Sequence, residues 1–345
     1  MAYTTINKST DYFNTKLYAG NSSTNAVTGV GFQPDWVWIK NRSNTSSHNI
    51  FDAVRGVTKA IFTNASDAEA TEASRLSAFN SDGFTINGDT SNQTNANGSN
   101  FVSWNWKANG AGSSNSDGDI TSTVSANTTA GFSVVTWTAN GSTNDGVGHG
   151  LGAEPKIIIY KRYDAVNDWY VVYKFVDDSL DFIKLNTTDA KQDLNIGTYG
   201  FASSTTFTNL GFANSQQVVA YAFAEKRGYS KFGSYVGNGN ASGSFVYTGF
   251  KPAFILTKKA NASGTGWGIF DNKREGAHAG NPTKAVLTPN TNGAEFNTDR
   301  IDILSNGFKP RYNWDFINGS GNTYIYMAFA EAPLVGSNNI PATAR

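Results

Sequence analysis

The stretch GFQPDWVWIK (Gly31–Lys40) sets two tryptophans one residue apart behind a glycine and a proline, and GFKPAFILTK (Gly249–Lys258) repeats it in weaker form. A third version, EPKIIIYK, surrounds Pro155. With the prolines aligned, a lysine stands six residues beyond each: Lys40, Lys161 and Lys258. The blocks HNIFD, WYVVY and WGIFD then begin 14, 14 and 15 residues after Pro34, Pro155 and Pro252. Closing blocks SWNWKANG, AYAFAEKRG and MAFAEAP place aromatics Trp106, Phe223 and Phe329 at 72, 68 and 77 residues from the same prolines. Spacing kept this closely indicates three internal repeats, each about 90–110 residues, a size suited to a β-sandwich.

Residues alternate faces along a strand, so Trp36 and Trp38 share one side and Val37 and Ile39 the other. Both sides are apolar. The same holds for Ile157/Ile159 against Ile158/Tyr160, and for Phe254/Leu256 against Ile255/Thr257. Such strands are covered on both faces, and a proline fits the first position, where no ladder bond is lost. The repeat core is therefore assigned to Pro34, Trp36, Trp38, Pro155, Ile157, Ile159, Trp169, Pro252, Phe254, Leu256 and Trp267. The tryptophan pair reads as packing, with a ligand-binding aromatic platform as the alternative. The closing Y-A-F-A-E pattern puts small residues on one face, leaving room for a second sheet or a neighbouring subunit, and ends in solvent at Glu225 and Glu331.

The composition agrees. Of 345 residues, 39% are apolar and only 16% charged, with 23 Phe, 15 Tyr, 8 Trp and 35 Gly, a balance that favours strands and turns. The expected fold is all-β: tandem β-sandwich modules, jelly-roll or concanavalin-like. The expected divisions are an N-terminal arm 1–17, modules at 18–110, 128–228 and 229–333, a linker 111–127 and a C-terminal tail 334–345. The arm reads as an attachment segment or an added edge strand. One short helix is expected over Ala65–Leu76, capped by Asp67.

Twenty-seven basic residues balance twenty-seven acidic ones, so no overall field draws the chain to nucleic acid or an anionic membrane. The start lacks a basic segment followed by an apolar one, and no apolar run approaches the roughly 18 residues of a spanning helix. With no cysteine, disulfides and thiolate chemistry are excluded. His48 stands where the other copies hold Trp169 and Trp267, which indicates packing; His149 and His278 lie in glycine-rich loops and form no metal-binding spacing. Ser114–Ile120 (SNSDGDI) alternates oxygen ligands as a calcium loop does, but lacks the closing glutamate and reads as linker. No nucleophile motif or carboxylate pair stands out, so no catalytic, cofactor or metal residues are assigned and no enzyme is expected.

The opening MAYTTINKSTDYFNTKLYAGN, the module GVGFQPDWVWIKNRSNTSSHNIFDAVRG and the motifs SDGF and GNTYIYMAFAEAP resemble virion structural proteins of tailed bacteriophages, particularly marine ones. The middle module departs furthest, lacking G-F-x-P and the F-D-x-x-R-G of Phe51–Gly56. The resemblance implies a structural protein on the outer virion surface, tail-fibre- or spike-like, in contact with host-surface glycan. A capsid decoration protein is the alternative and a glycan depolymerase the third reading. Expected partners are other virion proteins and further copies of the chain in a homotrimer, with no nucleic acid, membrane or cofactor. Planar amides and aromatic faces in the loops are the groups expected to grip sugars.

Overall fold

A computed structural model describes residues 4–194, 201–274 and 281–333. The fold is all-β, with every named strand pair antiparallel. Three large sheets share one strand order. In the first, Phe13–Ala19, Asn100–Trp106, Trp36–Asn41 and Asn49–Asp52 lie side by side. In the second the series is Phe132–Thr138, Gln217–Phe223, Ile157–Arg162 and Trp169–Tyr173. In the third it is Ser230–Val236, Thr323–Pro333, Phe250–Lys259 and Trp267–Asp271.

The register recurs as well. Trp36 faces Trp106, Ile157 faces Phe223 and Phe254 faces Phe329, while Lys40, Lys161 and Lys258 face Val102, Val219 and Ile325. Three residues before each proline, Gly31, Gly152 and Gly249 take φ of 93°, 66° and 82°, a region that side-chain-bearing residues rarely adopt. The chain thereby turns sharply into each central strand.

Both faces of these strands are buried, against different partners. Val37 and Ile39, Ile158 and Tyr160, and Ile255 each pack under a smaller sheet formed by their own segment. The opposite faces, with Trp36/Trp38, Ile157/Ile159 and Phe254/Leu256, join one shared core. In that core Trp106 and Phe223 each lie against Phe329, with ring centroids 5.5 and 5.9 Å apart. One chain thus packs three sheets around a common centre.

Polar bonds tie the sheets together in a cycle. The Trp169 indole N–H donates to the Phe62 carbonyl of the first segment (2.8 Å), and that of Trp267 to the Lys184 carbonyl of the second (2.9 Å). His48 holds the third equivalent place, beside the Thr288 backbone; it accepts the Trp38 indole N–H on Nδ1 at 3.0 Å. Arg55 and Arg274 each bind an aspartate three residues earlier, Asp52 and Asp271, both pairs at 2.6 Å and buried. At the corresponding place in the second segment stand Tyr173 and Val176, so the seam facing Met327 is apolar.

Three expectations are corrected. The supposed linker 111–127 carries two strands, Ser113–Asn115 and Ser122–Asn127, because Val124 reaches the second segment's core while the buried hydroxyls of Ser122 and Ser125 find partners in the Gly148 carbonyl and the Asn109 N–H. Of the two readings of the arm 1–17, its described residues take that of an added edge strand: Phe13–Ala19 pairs with Asn100–Trp106 at the edge of the first sheet, Ile6 and Phe13 are buried, and Tyr12 packs edge-on against Tyr229 at 6.1 Å. The boundary at 18 cuts through that strand. No helix forms over Ala65–Leu76. Glu69 is held by Arg55 at 2.9 Å and its N–H donates to the Tyr163 carbonyl, contacts that outweigh a short segment's helix propensity.

The small-residue faces that suggested a neighbouring subunit are filled from within the chain. Ala220, Ala222 and Ala224 pack with Val147 and Phe207, and Ala328 and Ala330 with Val246 and Phe308. The tail 334–345 lies outside the described residues.

Candidate functional site

The second segment is covered differently from its neighbours. Among the described residues its smaller sheet has two strands, Gly146–Gly148 and Thr206–Thr208, whereas those of the first and third segments have three and four. In the third segment Thr283–Val286 folds over into the covering sheet; in the second, Asp181–Lys184 instead extends the large sheet. The outward face of Trp169–Tyr173 and Asp181–Lys184 consequently runs beyond the cover, and a groove of about 340 Å³ opens there.

Alternation decides what the groove presents. Trp169, Val171 and Tyr173 point into the shared core, so Tyr170 and Val172 face outward, with Phe182 opposite Val172 in register. Tyr170 lies between Phe182 (5.5 Å) and Phe212 (6.5 Å), both edge-on, forming a row of three rings. Two amides complete the lining. Gln216 is steadied by the Ala213 N–H donating to its Oε1 at 3.0 Å. Asn167 is fixed through its backbone, which donates to the Ser66 carbonyl at 2.8 Å and accepts from Lys161 Nζ. Its side-chain Oδ1 is buried without a partner. An orphaned buried acceptor of this kind costs about 1–3 kcal/mol. Burial, with Asp168 nearby, pushes the Tyr170 phenol up, so it stays a protonated donor at neutral pH.

Among the described residues the lining contains no carboxylate, imidazole or lysine. Its chemistry is that of stacking and amide hydrogen bonding, as in sites where a few placed polar groups orient a ligand on an apolar floor.

The repeat-core residues lie elsewhere. Pro34, Trp36, Trp38, Pro155, Ile157, Ile159, Trp169, Pro252, Phe254, Leu256 and Trp267 are all buried, which rules out a surface platform built on the Trp36–Trp38 pair. His48 and His149 are buried too, the latter stacked on Phe207 at 5.9 Å, and burial lowers both pKa values. His278 lies outside the described residues. In the Ser114–Ile120 stretch, Asn115 binds Asp117 and Asp119 accepts the Gly146 N–H. Among the described residues no three His, Cys, Asp or Glu side chains gather as a metal site. No helix among the described residues is long and apolar enough to cross a membrane.

A family model described as a domain of unknown function (DUF7483) matches residues 8–333. The chain belongs to the DUF7483 family. The match runs across all three large sheets, so the DUF7483 unit includes the whole shared core rather than one sandwich of it. No curated protein and no solved structure matched the chain.

Sequence reasoning anticipated amides and aromatics but did not name Asn167, Tyr170, Phe182, Phe212 or Gln216. A signal was present. Tyr170 breaks the apolar outward face of WYVVY, and the glycines of GVGHGLG leave the second segment poor in material for a cover.

Proposed function

We propose that this DUF7483 protein is a non-catalytic structural component of the outer surface of a bacteriophage particle, tail-fibre- or spike-like, that contacts host-surface glycan through the groove of its second segment. The groove carries the binding half of this reading: a row of aromatic rings beside the amide residues Asn167 and Gln216 fits a sugar, whose apolar face stacks on rings while its hydroxyls meet amides. The virion half is supported by the likeness of the Gly29-to-Gly56 module and the closing Gly321-to-Pro333 block to phage virion proteins. Among the described residues the lining carries no carboxylate, which favours holding a glycan over cleaving it, since glycoside hydrolysis generally uses a carboxylate pair.

Titration of the purified chain with neutral oligosaccharides prepared from host envelopes tests the assignment. Tyr170→Ala and Asn167→Ala are expected to weaken binding at least about tenfold, the worth of about 1.4 kcal/mol, with little change in melting temperature. Binding that survives both substitutions would place the sugar elsewhere.

A further inference from the structure

The five exposed large aromatic side chains among the described residues all lie in the third segment: Phe245, Tyr247, Phe296, Tyr312 and Trp314, at 37–56% exposure. Single exposed apolar residues need no explanation, but a grouped set marks a contact surface.

Four of them collect on one face. In the covering sheet of this segment, Ile301, Ile303, Phe308 and Val246 point into the core. Alternation turns Arg300, Asp302, Lys309 and Tyr247 outward. Tyr247 stands opposite Gly307, and the Phe245 ring lies so close over Gly307 that an added Cβ would meet it at 2.9 Å. Gly307 therefore gives that ring its seat. At the other end of the face, the Arg300 guanidinium lies over the Tyr312 and Trp314 rings, 5.0 and 4.3 Å from their centroids. Trp314 stacks further on Phe316 at 4.9 Å. Arg300 and Leu304, the partner of Gly307, are four residues apart on one strand, so the two ring pairs are separated by about 13 Å along it.

The loop bearing Tyr312 and Trp314 is built rather than loose. The Arg311 N–H donates to the Arg300 carbonyl at 2.6 Å, and the Trp314 carbonyl accepts from Ile317 and Asn318. Asp315, the next residue, is bound by Lys259 and Asn322, and its carbonyl accepts the Tyr324 hydroxyl. Arg311 to Trp314 are all exposed, giving an arginine, a tyrosine, an asparagine and a tryptophan in succession on a fixed loop.

Charge selects the ligand. With Arg300 buried beneath the Tyr312 and Trp314 rings, the accessible cations of the face are Lys309 and Arg311, against Asp302, whose side chain pairs with Arg311 at 3.5 Å. Aromatic faces separated along a strand, with excess cations between and beside them, match a linear chain of sugar rings carrying anionic groups. We propose that this face is a second glycan site, distinct from the groove, which takes an acidic polysaccharide: sugar rings stack on Tyr312/Trp314 and Phe245/Tyr247, and Arg311 and Lys309 meet its carboxylates or sulfates.

The test uses the full chain on immobilised polygalacturonate, heparin and uncharged dextran. Retention is expected on one or both acidic polymers at about 0.1 M salt and not on dextran, with weakening as salt rises. Trp314→Ala, Tyr312→Ala and Arg311→Gln should each cut affinity at least about fivefold while Tyr170→Ala leaves it unchanged. Tyr312 and Arg311 are exposed, so loss of binding there with an unchanged melting curve is not a folding effect. The proposal is overturned by failure to bind either acidic polymer. It is equally overturned if Arg311→Gln weakens retention while both aromatic variants keep it, which is the outcome for simple ion exchange, or if the face is found to bind a protein and no polysaccharide.

Discussion

The Trp104 indole donates its N–H to Asp271 at 2.9 Å, reaching from the first segment into the third. One step round the core, the Tyr221 hydroxyl occupies the corresponding strand position and donates to Asp52 at 2.8 Å, from the second segment into the first. Each aspartate also carries a buried arginine, Arg274 or Arg55, which in turn reaches Glu295 or Glu69. Removing one partner strands a charge in the interior. Arg274→Ala and Arg55→Ala are each expected to destabilise the fold by about 3–5 kcal/mol in urea unfolding. A loss below about 1 kcal/mol would mean that these are peripheral pairs of ordinary surface strength.

Three buried tyrosines separate hydrogen bonding from packing. Tyr221 serves Asp52, whereas the hydroxyls of Tyr173 and Tyr229 are buried without partners. Tyr221→Phe should cost about 1–3 kcal/mol, because Asp52 loses a donor to a charged group. Tyr173→Phe and Tyr229→Phe should be neutral or stabilising by up to about 1 kcal/mol, since each removes an unmet polar group. Thermal unfolding of the three variants gives the order directly.

Stability should depend on pH in both directions. Burial pulls Lys40, Lys161 and Lys258 down to about 8. Between there and the ordinary lysine value of about 10.4 the unfolded chain binds more protons than the folded one, so stability rises with pH, by at most about 1.4 kcal/mol per pH unit per lysine. Burial pushes Tyr160, Tyr221 and Tyr229 well up, so above about pH 10 the unfolded chain alone loses phenolic protons and stability falls. His48 and His149 are lowered by burial, so the stability they confer is present above about pH 6.5 and is lost as the solution becomes more acidic. Urea unfolding at about pH 5, 7, 9.5 and 11 should therefore find a maximum near about pH 10, and Lys161→Met should shrink the alkaline rise by one lysine's share.

Unfolding should be a single transition despite the chain's length. Phe13 lies against Phe254 and Phe329 at 5.7 and 5.3 Å, so the first segment's outer strand is part of the third segment's packing. Phe13→Ala is expected to cost about 3–5 kcal/mol and to move the whole calorimetric peak. Independent sandwiches would show several peaks with only one displaced.

How much of this was legible can be traced residue by residue. Proline spacing and strict alternation fixed the central strands, down to the register of Lys40, Lys161 and Lys258, because those features are local. The same alternation showed both faces to be apolar, yet could not say that the second face meets two other sheets; that depends on contacts such as Trp169 to Phe62, 107 residues apart. The helix expected at Ala65–Leu76 failed for the same reason, its Glu69 being taken by Arg55. The groove was hidden because it arises from a strand that joins one sheet in the second segment and another in the third, a choice with no signature in the strand itself.

The seating of Ile6 and Phe13 bears on how the chain is made. Phe13 rests on Trp106 of its own segment at 4.8 Å, but its contacts with Phe254 and Phe329 wait for residues more than 240 positions further along the chain. Until the second and third segments have been made, the first large sheet keeps part of an aromatic face open to water, and contacts of such sequence separation form slowly. Synthesis therefore passes through a long interval in which Trp36, Trp38 and Trp106 are exposed to wrong partners. Yield in cells should accordingly depend on chaperone supply and growth temperature far more than the finished protein's stability suggests.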